Sequence, residues 1–326
     1  MTKLSTYIGS GILSATLGTV LIAVPVYAKN APTLKIENFI GTINVVTGDY
    51  EGISVTDADG ALVEVTTNGI LIDGGQKTRH VNCKTKKTSV KIGIGKNGLI
   101  KHGGTYKDLK EYPKVKIKAP KNMHLVIEKS VIFGNVETIG SGDLHVRSCG
   151  DITIGDVTGP LDLAISGSGD VKIGDAGASD ISISGSGDLE TGDLASVELK
   201  MSGASDIDIG DVLGHMEIRS SGAGDVTVGR IKGGLHYVGS GASDFDAEYV
   251  DGGDLYIDVS GSSDTSIDDG DVNKLYIEAS GASDVDYHGS SVNGETHASG
   301  ASDITLKRPS GSLDASDSGA GDVNVR

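Results

Sequence analysis

The sequence predicts an all-β protein, a right-handed parallel β-helix (β-solenoid) with about 18–20 residues per coil, and three observations carry that prediction. The pentapeptide Ser-Gly-[Ala/Ser]-[Gly/Ser]-Asp occurs nine times, ending at Asp170, Asp188, Asp206, Asp225, Asp244, Asp264, Asp284, Asp303 and Asp322, at intervals of 18, 18, 19, 19, 20, 20, 19 and 19 residues. After the Asp the chain alternates apolar and polar residues, as in Val171-Lys172-Ile173, Ile207-Asp208-Ile209 and Val226-Thr227-Val228, the period-two pattern of a half-buried strand. Glycine reaches 49 residues, tryptophan is absent and phenylalanine occurs three times, the composition of a chain made of turns. The period is too short for a propeller blade and lacks the helical spacing of leucine-rich repeats. It suits one rung of a parallel β-helix, in which each strand pairs with its counterpart a coil away at about 4.8 Å. The hand is set by the chirality of parallel crossovers.

In chain order, residues 1–28 read as a cleaved signal peptide: Lys3, an apolar stretch from Ile8 to Val24, then Pro25-Val26-Tyr27-Ala28. Gly9, Gly11, Gly18 and Pro25 interrupt the stretch, which argues against a transmembrane anchor, and no later segment resembles a span. Residues 29–140 read as an N-terminal β-rich part of the solenoid, with short strands at Leu34–Ile36, Ile43–Val45, Ile53–Val55, Leu62–Val65 and Ile70–Ile72 that continue the coil less regularly or cap it. A basic insertion or long hairpin at 75–112 breaks the pattern, which resumes at Lys114-Val115-Lys116-Ile117-Lys118. Residues 141–326 are the regular repeats, with two clear strands, a third short one and Gly-rich corners per period. About nine such coils make a rod roughly 40–45 Å long at that rise.

Charge is unevenly placed. Lys29 to Gly140 hold 17 Lys and Arg against 11 Asp and Glu, whereas Ser141 to Arg326 hold 10 against 34. An acidic body repels nucleic acid, so none is expected as a partner. Lys77 to Lys121 carry 14 basic residues against Asp108 and Glu111. That face meets anionic envelope polymers or a neighbouring subunit's acidic rod, or it is a solvated face whose lysines blunt a strand edge. Cys83 and Cys149 are the only cysteines. In an oxidising compartment they form either a disulfide or two buried free thiols.

Stacked coils would place the nine motif aspartates in one file, where neighbouring charges repel by about 0.9 kcal/mol in water. Turn N–H groups accepted by the carboxylates, with glycine at positive φ and serine hydroxyls donating across coils, offset this locally. The sharper alternative is Ca²⁺ held between coils, with Asp206, Asp225, Asp244, Asp264 and Asp284 as the candidate metal ligands. His236, Tyr256 and Tyr276 each come directly after an inward leucine, at 235, 255 and 275, and form a candidate aromatic binding patch flanked by Glu217 and Glu295; stacking between rungs is the plainer reading. No catalytic motif and no cofactor is expected, since so many carboxylates make any glycosidase-like pair uninformative and the eight histidines lack ligand spacing.

The export signal, Phe39-x-Gly41-x-Ile43-x-Val45, Tyr112-Pro113-x-Val115-x-Ile117-x-x-Pro120 and the repeated Ser-Gly-x-Gly/Ser-Asp coils together resemble the bacterial auto-transporter adhesin, head GIN domain family across nearly the whole mature chain. The resemblance implies a β-helix exported to the periplasm, the outer surface or the medium, and carries over no catalytic or binding residue. No translocator-barrel pattern comes after the repeats, so self-export is not expected. The combined reading is a non-enzymatic exported protein with an adhesion, binding or scaffolding role at the cell envelope or surface. Its partners would be a surface polymer or protein, or further copies of itself through solenoid faces or ends. Two alternatives stay open: a secreted β-helical carbohydrate-active enzyme, and a calcium-stabilised structural rod.

Overall fold

The computed structural model describes residues 22–23, 31–78, 81–86, 89–94 and 106–326, and it is all-β, a parallel β-solenoid of about 11 turns. No described helix is long and apolar enough to cross a membrane. The repeats stack in constant register: Gly167 pairs with Gly185, and the file continues through Gly203, Gly222, Gly241, Gly261, Gly281, Gly300 and Gly319. A typical coil holds a long strand such as Leu161–Gly167, a short one such as Asp170–Ile173, and a single bridging residue, Ala176, matched to Val157 and Leu194 in the adjacent coils. The coil length varies without disturbing this register because the extra residues enter corners: up to residue 281 they enter one corner, whereas the step from 20 to 19 residues after Asp284 falls between Tyr287 and Ser290. From the bridging residue to the next inward one the chain runs Leu194 to Val197, Val212 to Met216, and Val250 to Leu255 in coils of 18, 19 and 20 residues.

Alternation decides which side chains fill the coil. Val171, Leu189, Ile207, Val226 and Phe245 stack inward at one strand position, and Leu163, Ile181, Leu199, Ile218 and Ile257 are among those filling another, all at most 2 % exposed. The core is therefore a narrow apolar column rather than a wide globular interior. The motif glycine turns the corner between the two strands. Its φ is positive in all nine copies, a region that L side chains rarely adopt.

The N-terminal end departs from sequential stacking. β2 (Thr33–Glu37) and β3 (Ile40–Gly48) form one coil, but the strand stacked directly on both of them, in parallel, is the distant β11 (His124–Val136). The intervening chain lies on the other side of that coil. There β4 (Ser54–Asp57) is succeeded by the antiparallel hairpin of β5 (Leu62–Thr66) and β6 (Gly69–Asp73); β6 pairs with β2, and β10 (Lys114–Pro120) pairs with β3. β4 then runs antiparallel to β10, which gives the open end a cap. These strands both continue the solenoid and close it, and the added coils raise the count from the nine expected to about 11. The leader read at 1–28 lies outside the described residues except β1 (Ile22–Ala23), which pairs antiparallel with β4.

The basic insertion folds as a separate three-stranded antiparallel sheet of β7 (Val81–Lys86), β8 (Ser89–Ile94) and β9 (Lys107–Asp108), ending in a single 3-10 turn at Leu109–Glu111 with a reciprocal Asp108/Glu111 cap. It sits on an apolar patch of the outer wall: Ile40, Val131 and Phe133 face out and are covered by Ile92 and Tyr112, with Val81, Val90 and Leu109 at the rim. Cys83 and Cys149 are joined in a disulfide, Cα to Cα 6.1 Å, which ties β7 to the wall.

Candidate ligand-binding face

Every outward position repeats once per coil and becomes a file of side chains at the inter-strand spacing. In the file of motif carboxylates, each acceptor takes the amide of the same residue one coil further on. Asp206 N–H donates to Asp188 Oδ1 at 3.4 Å, Asp264 to Asp244 at 3.1 Å, Asp303 to Asp284 at 3.2 Å and Asp322 to Asp303 at 3.0 Å. The Gly-Asp corners repeat the device: Asp175 donates to Asp156 at 3.2 Å, Asp193 to Asp175, Asp211 to Asp193 and Arg230 to Asp211 each at 2.9 Å. An ionised acceptor makes these bonds about twice as strong as neutral ones, and that offsets repulsion along the file. Of the candidate calcium ligands, Asp244 and Asp284 thus commit an oxygen to the main chain; Asp206, Asp225, Asp264 and Asp284 are exposed and Asp244 is half-buried.

Serine does two different jobs in the same motif. First-position hydroxyls donate across coils, from Ser240 to Ser220 O, Ser260 to Gly239 O and Ser280 to Val259 O, at 3.4–3.5 Å. The fourth-position serines 243, 263, 283 and 302 are fully buried, and the hydroxyls of the last three accept: Ser243 N–H donates to Ser263 Oγ, Ser263 to Ser283 and Ser283 to Ser302, at 3.2–3.3 Å. This interior polar file escaped sequence reasoning. Its signal was the restriction of that position to Gly or Ser.

A different file changes character along its length. Asp143, Asp162, Asp180, Glu198, Glu217, His236, Tyr256, Tyr276 and Glu295 are register partners on nine successive coils. Its acidic half borders a groove of about 680 Å³ that His124, Ser179 and His215 also line. Lys200 lies 2.6 Å from Glu198 and Arg219 lies 2.7 Å from Glu217; the hydrogen bond from Lys200 holds Glu198 below the usual carboxylate range. At the His124 end, His124 Nδ1 and Ser141 Oγ are 2.8 Å apart. Asp143, His145 and Asp162 bring one ligand atom each within 4.8 Å of one another, a metal-capable trio that scattered histidines in the sequence did not reveal. It becomes visible once residues 143 and 162 are known to be register partners.

The structure places His236, Tyr256 and Tyr276 in one column, between Glu217 and Glu295. His236 meets Tyr256 edge-on at 4.5 Å, Tyr256 and Tyr276 stack at 4.7 Å and 5°, and His297 approaches Tyr276 edge-on at 6.1 Å. The stacked faces are occupied by each other, so what the middle of the column offers to solvent is ring edges and phenol hydroxyls. Tyr276 Oη donates to Glu278 Oε2 at 2.7 Å. That bond, with burial, raises the Tyr276 phenol; burial, then Glu278, raises Asp258 beside it. Polar edges flanked by carboxylates suit hydrogen bonding to hydroxyl or ammonium groups better than stacking on a sugar face.

No curated protein matches the sequence. A family model described as Putative auto-transporter adhesin, head GIN domain, matches residues 42–233 and 230–326, which covers the solenoid from within β3 to its last coil. With the stacked coils and their motif on view, the chain belongs to the auto-transporter adhesin, head GIN domain family.

Proposed function

We propose that the protein is an exported, non-catalytic binding rod that acts in adhesion or scaffolding at the cell envelope or surface. Its ligand-contact face is the file from Asp143 to Glu295 with the adjoining groove. The observation that carries this reading is the single register line on which five carboxylates give way to His236, Tyr256 and Tyr276. Frame positions such as the corner glycine and the motif Asp repeat one residue type, whereas this file varies, as does the outward line of His145, Ala164, Ser182, Lys200 and Arg219; unlike that line it borders a concave surface, the usual form of a recognition site. The family's adhesin description supports the same direction. An extended envelope polymer rich in hydroxyl or amino groups fits the line of acceptors. The test is retention of the protein on immobilised envelope polysaccharide and on surface protein extract. Asp162→Asn with Asp180→Asn, and separately Tyr256→Ala with Tyr276→Ala, should each weaken retention about tenfold or more, one or two lost charge-assisted bonds. Undiminished retention by both variants removes the face from consideration, and depolymerisation of the polysaccharide by purified protein replaces binding with catalysis.

A further inference from the structure

The charge segregation in the sequence becomes a polarity of the rod. Lys114, Lys116 and Lys118 alternate outward on β10, and Lys84, Lys91, Lys107 and Lys110 stand exposed on the neighbouring insertion. Register joins the two: Lys114 pairs with Thr42, and Thr42 with Phe133, which lies under the insertion. Among the described residues none of these lysines is ion-paired to a carboxylate; the acidic residues of the insertion, Asp108 and Glu111, are engaged in their own cap. From Ser141 onward the charge is overwhelmingly negative.

We propose that this basic end is a membrane-docking surface that takes the headgroups of anionic phospholipids. Each lysine held near such a surface contributes roughly 1 kcal/mol, within a reach of about a Debye length, 8–10 Å. The acidic repeats are repelled by the same surface, so the rod stands away from it and presents the Asp143 to Glu295 file to the exterior. Docking does not depend on that file having a ligand. The patch also explains a local choice: β10 is paired on both sides, with β3 and with β4, and needs no row of three lysines to block strand addition.

Protein purified from the exported fraction is sedimented with phosphatidylcholine vesicles, with or without about 30 mol % phosphatidylglycerol, at about 0.1 M and 0.5 M salt. Binding is expected on the anionic vesicles alone and is expected to fall steeply with salt. Lys114→Glu/Lys116→Glu/Lys118→Glu should lower the partition coefficient about 100-fold or more, and Lys84→Glu/Lys91→Glu should lower it by about tenfold or more. Lys232→Glu/Lys274→Glu, which changes charge on the acidic body, should not alter it. Equal binding to both vesicle types, or binding that survives both basic-end variants, overturns the proposal. So does salt-sensitive self-association that the triple variant abolishes in protein that never binds vesicles, since the lysines would then serve a second copy's acidic body.

Discussion

Replacing Gly241 by alanine tests whether the motif glycine is a steric requirement of stacking. Its φ is +107°, and a Cβ there would lie 2.3 Å from Gly222 O, an oxygen that already accepts Ala242 N–H at 2.8 Å. The left-handed backbone costs about 1–2 kcal/mol for an L side chain. The oxygen cannot yield without moving the coil before it, so its bond to Ala242 is lost or stretched, about 1 kcal/mol more, and the separation of two coils is added to that. Gly241→Ala should therefore destabilise by about 3 kcal/mol or more. Gly60 supplies the control, because its φ is +84° yet nothing lies within 4 Å of its Cβ position. Gly60→Ala should cost only the backbone part, about 1–2 kcal/mol. Urea unfolding monitored by far-ultraviolet circular dichroism gives the totals, and hydrogen exchange locates the loss, which in a quasi-one-dimensional stack should concentrate in the coils around 222–261. Equal costs at the two sites, or a Gly241→Ala cost under about 0.5 kcal/mol, would refute the steric argument.

Three further outcomes rest on the same geometry. Cys83→Ser/Cys149→Ser removes a link across 66 residues of chain, an entropic constraint worth roughly 4 kcal/mol in the unfolded state; hydrogen exchange should accelerate in β7 and β8 while the coils beyond residue 161 keep their protection. The melting temperature at low salt should rise as pH falls from 7 toward about 4.5. Asp151, Asp246 and Asp258 are raised above the ordinary value of 3.8, by burial first and neighbouring carboxylates second; the folded state then binds more protons than the unfolded one in that window, and the stability gained is lost again as pH climbs through their raised values. Glu128, lowered by its hydrogen bond from Lys35, acts oppositely, but only as pH drops below the ordinary 4.5. A flat or inverted profile above about pH 4.5 contradicts this. Finally, a chelator should leave the melting midpoint unchanged, because Asp188, Asp244, Asp284 and Asp303 each commit a carboxylate oxygen to a main-chain amide; a shift of several degrees would restore the calcium-stabilised rod.

The frame was legible because each of its constraints recurs. Glycine at the corner and an Asp after the turn appear in all nine repeats, with an inward residue on either side of an outward one, so one period teaches the rest. Three features were hidden for definite reasons. Residues 33–48 lie between segments that are distant in sequence, and no periodicity reports a chain that steps over its own coil. The buried serines look like ordinary turn residues until the corner is known to point one of its positions inward. Asp143, His145 and Asp162 are joined by a spacing of one coil, whereas motif reading searches for ligands along a single element.

That distinction between repetition and variation also orders the functional reading. A position that is Asp in every repeat serves the fold, its carboxylate accepting a main-chain amide one coil on at Asp188, Asp244, Asp284 and Asp303; selection for a ligand cannot be separated from selection for the corner. A position free to be Asp143, Glu217, His236 or Tyr276 has no such duty, since its neighbours in the coil close the strand whatever it carries. Chemistry specific to this protein should therefore be sought in outward files whose residue type changes from rung to rung, and in the one place where the repeat is interrupted. Among them are the Asp143 to Glu295 file, the adjacent line from His145 through Lys200 and Arg219 to His297, and the lysine-rich end. The first runs along the long strands of the rod, whereas the lysines of β10 extend the short-strand line of Thr42, Phe133, Asp151 and Asp170 beyond its N-terminal coil.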